Sequence, residues 1–159
     1  MSETKFYICE HCGNIVGKIN DAGVPLMCCG QKMKELVPGT VEASTEKHIP
    51  VAAVEGNLVK VTVGAVEHPM TEEHLIQWVY LKTTSGGQRK VLTAGSAPVV
   101  TFALTDDEKP MAVYAYCNLH GLWMAKICRG IRHPVISHIL KNRSVFDEVR
   151  LRSVRLGLR

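Results

Sequence analysis

Long apolar segments are absent from this 159-residue sequence. No run approaches the roughly 18 to 20 uninterrupted apolar residues that a transmembrane helix needs. No apolar signal region follows the few charges of residues 1–5. The composition, with 46% hydrophobic and 21% charged residues, is typical of an ordinary globular chain. These features predict a cytoplasmic protein.

The sequence also lacks the pattern of a nucleic-acid-binding segment. Residues 125–159 carry nine lysine or arginine residues against two acidic residues, although the whole chain has a net charge of only +4. These basic residues are not interleaved with aromatic residues in a recognisable motif, so nucleic acid is not an expected partner. The spacing of Ile136, Ile139 and Leu140 favours a helix, and this basic extension has no assigned role.

Six cysteines are present in a chain for which no export signal is predicted. In a reducing compartment such cysteines act as metal ligands or reactive thiols more often than as disulfides. Four of them lie between residues 5 and 37, a segment with little hydrophobic bulk. A segment of this kind needs a metal ion to fold, so residues 1–37 are predicted to form a small metal-bound domain.

The first candidate metal centre combines a C-x2-C motif with an adjacent pair. Cys9 and Cys12 form the motif, and Cys28 and Cys29 follow it. Four thiolates suit either zinc or a single iron. Adjacent cysteines should distort the tetrahedron, which favours an electron-transfer iron, whereas a structural zinc and a thioredoxin-like redox pair are the alternatives.

Residues 38–124 have the pattern of a second, all-β domain. Short β-rich runs alternate with turn-like segments, which predicts an antiparallel β-sandwich. The predicted strands are 58–63, 75–81, 90–93, 99–104 and 111–116. Residues 125–159, including a Cys128 that we expect to be a free thiol, follow as the extension.

The second candidate centre comprises one cysteine and four histidines. Cys117 and His120 are predicted at the end of the last strand, His68 and His74 in one loop, and His48 at the entrance to the domain. Zinc normally takes four ligands, whereas iron accepts five and leaves a sixth position open. The set therefore favours a reactive iron.

Four motifs in order along the chain resemble the desulfoferrodoxin family, the two-iron form of superoxide reductase. The resemblance covers roughly residues 5–124. The motifs are Cys9-x2-Cys12 with Cys28-Cys29, Glu46-Lys47-His48-Ile49-Pro50-Val51, His68-Pro69-Met70 to His74, and Cys117-Asn118-x-His120-Gly121-x-Trp123.

The resemblance implies a desulforedoxin-like N-terminal domain and an immunoglobulin-like β-sandwich, each with one iron. It implies that four cysteines hold the first iron, and that four equatorial histidines and the axial Cys117 hold the second. It implies further that Glu46 can take the sixth position in the ferric state. A homodimer and an electron donor such as rubredoxin are also implied.

The expected reaction is the one-electron reduction of superoxide to hydrogen peroxide. Lys47, next to His48, is expected to attract the anion and to organise a proton-donating water. The sulfur of Cys117 is expected to accept hydrogen bonds from the backbone around residues 118–120. Superoxide dismutation is the nearest alternative reaction. A zinc-stabilised binding module that docks a partner through the basic extension is the alternative from another class.

Overall fold

The computed structural model describes residues 4–41, 43 and 45–127. The predicted helix around Ile136 and the predicted free thiol of Cys128 lie outside the described residues. No helix within those ranges is long and apolar enough to cross a membrane. The cytoplasmic location stays a prediction.

The N-terminal part consists of short antiparallel strands. Its strands are β1 (Lys5–Ile8), β2 (Ile15–Lys18), β3 (Met27–Cys28), β4 (Gln31–Lys32) and β5 (Lys34–Leu36). The first sheet has the order β2-β1-β5, and β3 and β4 form a separate hairpin. Apart from Phe6, which packs against the second part, its buried residues among those described are Tyr7, Cys9 and Met33, which form one small cluster. Such a core is too small to hold the segment together by burial alone.

The second part is a two-sheet antiparallel sandwich preceded by one helical turn. The elements are α1 (Thr45–His48), β6 (Pro50–Glu55), β7 (Leu58–Val63), β8 (Ile76–Thr83), β9 (Gly87–Val91), β10 (Val99–Ala103), β11 (Pro110–Cys117) and β12 (Gly121–Lys126). One sheet has the order β10-β7-β6 and the other β12-β11-β8-β9. The predicted all-β fold with an antiparallel sandwich is confirmed.

Strand β7 shows how the sequence fixes the sandwich. Val59, Val61 and Val63 are fully buried. Leu58, which precedes Val59, and Lys60, which lies between Val59 and Val61, are exposed. The alternation matches the two-residue period of a strand with one face in the core. Phe102 from β10 and Val113 from β11 lie in the same core cluster.

Three details of the predicted strands need correction. Strand β9 begins at Gly87 and ends at Val91, so the predicted run 90–93 is displaced; β9 is a mostly exposed edge strand without an apolar face. Strands β6 and β12 were not predicted. Because β12 follows, Cys117 and His120 do not end the last strand but flank the turn between β11 and β12. Strand β12 continues to Lys126, and the predicted division of the chain into domains at residues 37 and 124 stays a prediction.

An aromatic cluster joins the N-terminal sheet to the outer face of the four-stranded sheet. The ring of Phe6 lies 5.1 Å from Trp78, 5.4 Å from Tyr80 and 5.6 Å from Tyr114, measured between centroids. Trp78 in turn stacks on Tyr116 at 5.3 Å. These tilted and stacked pairs stabilise the packing of β1 against β8 and β11 beyond simple burial.

Two candidate metal centres

The four N-terminal cysteines meet at one point. Cys9 lies directly after β1, Cys12 in the following turn, and Cys28 and Cys29 at the β3–β4 hairpin. Their four sulfur atoms all lie within 4.8 Å of one another. The Cys12 and Cys28 sulfurs are 3.6 Å apart. This is the arrangement that a tetrahedral metal site requires.

Local backbone geometry explains how adjacent cysteines both reach this centre. Cys29 has a φ of 49°, in the left-handed region that non-glycine residues rarely adopt, and Gly30 follows with a φ of 74°. At the other side, the Gly13 N–H donates to the Cys9 carbonyl at 2.8 Å and closes the C-x2-C turn. The distortion expected of a vicinal pair is thus carried by the backbone of Cys29.

Within this cluster the pKa values of the Cys9, Cys28 and Cys29 thiols are shifted. Backbone N–H donors from Cys12 and, more weakly, His11 lower the pKa of Cys9 to about 6. Side-chain hydrogen bonding with Cys12 raises the pKa of Cys29 to about 12. The cluster therefore favours the thiolate form of Cys9 but disfavours ionisation of Cys29. A bound cation would stabilise all four thiolates together.

The second cluster gathers four residues from three separate segments. His48 ends α1, His74 precedes β8, and Cys117 and His120 flank the β11–β12 turn. One ligand atom from each of these four residues lies within 4.8 Å of the others. The His120 Nδ1 atom is 3.0 Å from His48 Nε2 and 3.7 Å from the Cys117 sulfur. His120 therefore faces the centre with Nδ1, and His48 with Nε2.

His68 lies against this cluster. Its ring centroid is 4.7 Å from that of His48 and 4.6 Å from that of His74. The carbonyl of Pro69 accepts a hydrogen bond from His68 Nδ1, which places the ring proton there and leaves Nε2 with a lone pair. The sequence-predicted loop of His68 and His74 thus does bring both rings to the side of His48.

Two ring nitrogens test whether the cluster fits a metal. The Nε2 atoms of His68 and His74 are buried, and neither has a hydrogen-bond partner among the described residues. A buried polar atom without a partner costs about 1–3 kcal/mol, so such atoms are rare unless something else satisfies them. A metal ion bound at these nitrogens does so, and four imidazoles with one thiolate suit iron.

Burial keeps His68 and His74 in the form that binds metal. It lowers the pKa of His68 to about 4, although the hydrogen bond to Pro69 opposes the shift. Burial also lowers the pKa of His74, and the charges of His120, His48 and Lys47 act in the same direction. Imidazoles with lowered pKa values remain neutral at ordinary pH, as metal ligands must.

The sulfur of Cys117 is buried and accepts backbone hydrogen bonds. Burial raises the pKa of its thiol, while the backbone N–H groups of Leu119 and His120 lower it. These donors lie where the sequence predicted them. Trp123 forms one wall of the site: its ring stacks on His48 at 4.9 Å, and its Nε1–H donates to the His120 carbonyl at 3.1 Å.

Glu46 and Lys47 lie on α1, beside the cluster. Glu46 is exposed and Lys47 is half-buried. The charge of Lys47 contributes, as the weakest of four causes, to the lowered pKa of His74. The Glu46 carbonyl accepts hydrogen bonds from the N–H groups of Ala65, at 2.6 Å, and Val66, at 3.2 Å. The roles of both side chains stay predictions.

Sequence reasoning named Asn118 only as a motif residue and did not predict the contacts of its side chain, and it missed Gly64 altogether. The side chain of Asn118 bonds to the segment before β8. Gly64 has a φ of 84°, and a Cβ atom there would lie 2.5 Å from the carbonyl oxygens of both Lys47 and Val66. Because Asn118 lies between the candidate ligands Cys117 and His120, a structural role for its side chain could have been predicted. Nothing in the sequence distinguishes Gly64 from other turn glycines.

Comparisons with known proteins agree with this geometry. The desulfoferrodoxin family profile matches residues 40–126, and the profile of the desulfoferrodoxin N-terminal domain matches residues 2–36. The desulfoferrodoxin of Nitratidesulfovibrio vulgaris is 42% identical over 125 residues, which are 79% of this chain and 98% of that protein. The desulfoferrodoxin homolog of Archaeoglobus fulgidus is 42% identical over 75% of this chain and 94% of its own length.

A solved structure extends the likeness to the fold. The superoxide reductase from Treponema pallidum superposes with a TM-score of 0.68 at 46% sequence identity. The match covers 79% of this chain and 100% of the Treponema chain. With two converging ligand clusters, both family profiles and near-complete coverage of these relatives, the chain belongs to the desulfoferrodoxin family.

Proposed function

We propose that this chain is a superoxide reductase, which transfers one electron to superoxide and yields hydrogen peroxide. The observation that carries the proposal is the convergence of His48, His74, Cys117 and His120 on one point, with the unpartnered Nε2 of His68 beside them. Iron held by these five side chains would supply the electron. The two protons that complete the reaction come from solvent.

Cys117 tunes the site through its surroundings. Burial gives its sulfur a low-dielectric environment, and two backbone N–H donors withdraw part of its electron density. The balance of these two effects sets how strongly the thiolate donates to a bound metal. Both donors are fixed by the tight β11–β12 turn, so the balance does not depend on mobile side chains.

Lys47 is proposed to steer the anionic substrate. Lys47 is a half-buried residue directly before His48, and its charge acts on His74, so it is less screened by water than a fully exposed lysine would be. A fixed cation at that place also orders water that can give up a proton. Glu46, on the exposed side of the same turn, is proposed as the carboxylate that takes the sixth position on oxidised iron.

The four-cysteine centre is proposed to hold a second iron that transfers electrons, supplied by rubredoxin or a similar small carrier. Three of its four sulfurs lie on residues that are exposed or half-buried, which permits close approach of a donor. We propose in addition that residues 1–37 and 38–124 act as separate functional domains, followed by the extension 125–159.

A homodimer is proposed from the apolar surface beside β2. Ile19 is fully exposed, and together with Ile15, Phe6 and Trp78 it lines a groove of about 490 Å³. A second copy of the chain would cover these residues. Sedimentation of the wild type and of Ile19→Lys should give a dimer and a weakened dimer respectively; a wild-type monomer would contradict the proposal.

The function is tested by mixing the reduced, iron-loaded protein with superoxide. We expect one superoxide to be consumed per oxidised histidine–cysteine iron, with hydrogen peroxide formed and no dioxygen released. Release of dioxygen would indicate dismutation instead. Zinc in place of iron in protein purified without added metal would favour a zinc-stabilised binding module.

The role of Lys47 is tested separately. Lys47→Ala should slow the second-order reaction by up to about tenfold at low salt, the lower end of the range by which charges lining a site raise association rates. It should also weaken the dependence on ionic strength. Lys60→Ala, which removes an exposed lysine of β7, is the matched control. An unchanged rate for Lys47→Ala at low salt would exclude the steering role.

A further inference from the structure

We propose that Asn118 is a positioning residue for the histidine–cysteine centre. Its side chain fastens the segment that carries His74 to the turn that carries Cys117 and His120. The inference rests on the proposed iron site and deepens it, because it assigns the geometry of that site to a residue that does not itself bind the metal.

All the hydrogen bonds of the Asn118 side chain in the described part of the chain go to one segment, residues 72–75. Its Oδ1 accepts from the Leu75 N–H at 2.9 Å. Its Nδ2 donates to the carbonyls of Glu72 at 3.3 Å and Glu73 at 3.2 Å. Its own backbone N–H donates to the Leu75 carbonyl at 3.2 Å. Both polar atoms of the side-chain amide, the acceptor Oδ1 and the donor Nδ2, therefore bond to residues 72–75.

The segment held by Asn118 is a small closed turn. The Thr71 N–H donates to the His74 carbonyl at 3.0 Å, and the His74 N–H meets the Thr71 carbonyl at 3.2 Å and its Oγ1 at 3.2 Å. These bonds join the two ends of the turn, so residues 71–74 should move as one unit. Whatever fixes this unit fixes the His74 ring.

The backbone pairing of β8 with β11 does not by itself fix the position of the turn at residues 71–74. The register between β8 and β11 shifts between Tyr116 and Cys117, where Cys117 comes opposite Ile76. The regular ladder therefore ends at the residue that supplies the sulfur, before it reaches the turn with His74. The amide of Asn118 takes the place of the next ladder bonds and continues the connection between the two segments.

A displaced turn would misplace a ligand atom. The His74 ring centroid lies 4.6 Å from His68 and 4.8 Å from His120, and its buried Nε2 has no hydrogen-bond partner among the described residues. Without the amide of Asn118, only its backbone N–H would join the two segments at this point. His74 would then reach the centre less often, and the metal would be held by fewer ligands for part of the time.

The test uses the full chain with both centres loaded with iron. Asn118→Ala should release iron from the histidine–cysteine centre to a chelator about 10- to 100-fold faster, the usual loss when an outer partner of a metal ligand is removed. The ferric thiolate absorption of that centre should shift. Asn118→Asp should accelerate iron release at least as much, because it replaces the donor Nδ2 with a second oxygen that is repelled by the carbonyl oxygens of Glu72 and Glu73.

Two references separate positioning from a purely structural role. The four-cysteine centre of the same molecule should keep its absorption and its rate of iron loss. Gln88→Ala removes a side-chain amide that donates to the Ala103 carbonyl at 2.8 Å, away from both centres, and should leave both spectra unchanged. A merely structural Asn118 would lower the melting temperature and leave the spectrum and iron release as in the wild type, which would overturn the proposal.

A double mutant decides whether the effect passes through His74. In a His74→Ala background, Asn118→Ala should accelerate iron release by less than about threefold, because coupled residues are not additive. The full single-mutant effect in that background would also overturn the proposal. Should Asn118→Ala not fold, Asn118→Ser is judged by the same criteria. Since none of these measurements uses superoxide, a failure of the proposed activity would appear separately.

Discussion

The two candidate centres of this chain are built in opposite ways. At the first centre, four cysteines lie in short strands and turns with a cluster of only three buried residues, and the metal itself must supply much of the stability. At the second, the ligands are attached to a sandwich with an extensive buried core. The first site should depend on metal for its structure, whereas the second should largely preform.

Removal of both metals is expected to have the largest effect and to separate the two regions. In the apoprotein, residues 5–36 should lose their strands, because repulsion among thiolates replaces the bonds to metal. The amides of β7, β8 and β11 should stay protected. Hydrogen exchange of the metal-free chain measures both regions at once. Equal protection in the two would show that the N-terminal part folds without metal.

A substitution at Gly64 should disturb the second centre and leave the first unchanged. Gly64→Ala would place a Cβ atom 2.5 Å from two backbone carbonyl oxygens at a φ of 84°, and the left-handed backbone alone costs about 1–3 kcal/mol. The turn that carries Lys47 must then move, so we expect a lower melting temperature and weakened iron binding by the histidines.

Gly56→Ala is the matched control for this substitution. Gly56 also has a positive φ, 59°, but a Cβ atom there would meet nothing within 4 Å. The Gly56→Ala variant should therefore be less stable than the wild type but keep the iron of the histidine–cysteine centre. If both variants keep that iron equally well, the close approach at Gly64 does not support the site.

The difference between the centres also explains what the sequence could predict. The cysteine cluster is local, since Cys9 and Cys12 share a turn and Cys28 and Cys29 a hairpin, so their spacing alone indicated a shared metal. In the same way, the alternation of apolar and other residues in 58–63 was enough to predict strand β7. The edge strand β9 was displaced in the prediction because its residues have no buried face to give a period.

The second centre depends on contacts between distant segments, which a single sequence does not encode in its spacing. Its ligands could be named through the family motifs, and the structure brings them together. The orientation of His120 through Nδ1, the tautomer of His68 and the contacts of Asn118 over more than 40 residues arise only from tertiary packing. None of them leaves a periodic signal.

Acid should distinguish the two regions further, through His68. Its pKa is about 4 in the folded chain against an ordinary value near 6.5, so the unfolded chain binds more protons between these values. Stability of the apoprotein sandwich should therefore be complete above about pH 6.5 and fall as the pH drops toward 4. Urea midpoints at pH 7 and pH 5 measure the loss.

The matched variants for acid are His68→Gln and His11→Gln. The first removes the buried group and should flatten the dependence on pH, while the second changes an exposed residue and should not alter it. A dependence that survives His68→Gln in full would assign the effect to other groups, of which His74, with its lowered pKa, is the first candidate.

Trp123→Phe should give the smallest effect and show how far the wall of the second centre contributes. Phenylalanine can keep the stacking on His48, which the tryptophan ring makes at 4.9 Å, but it loses the Nε1–H bond to the His120 carbonyl. One such bond contributes about 0.5–1.5 kcal/mol, so the melting temperature should fall by a few degrees. Because the lost bond orients the residue that faces the centre with Nδ1, the absorption of the ferric thiolate should shift slightly, while that of the four-cysteine centre stays constant. A shift in both spectra would mean that the two regions are coupled through β12 and the aromatic cluster, contrary to the separation that their construction implies.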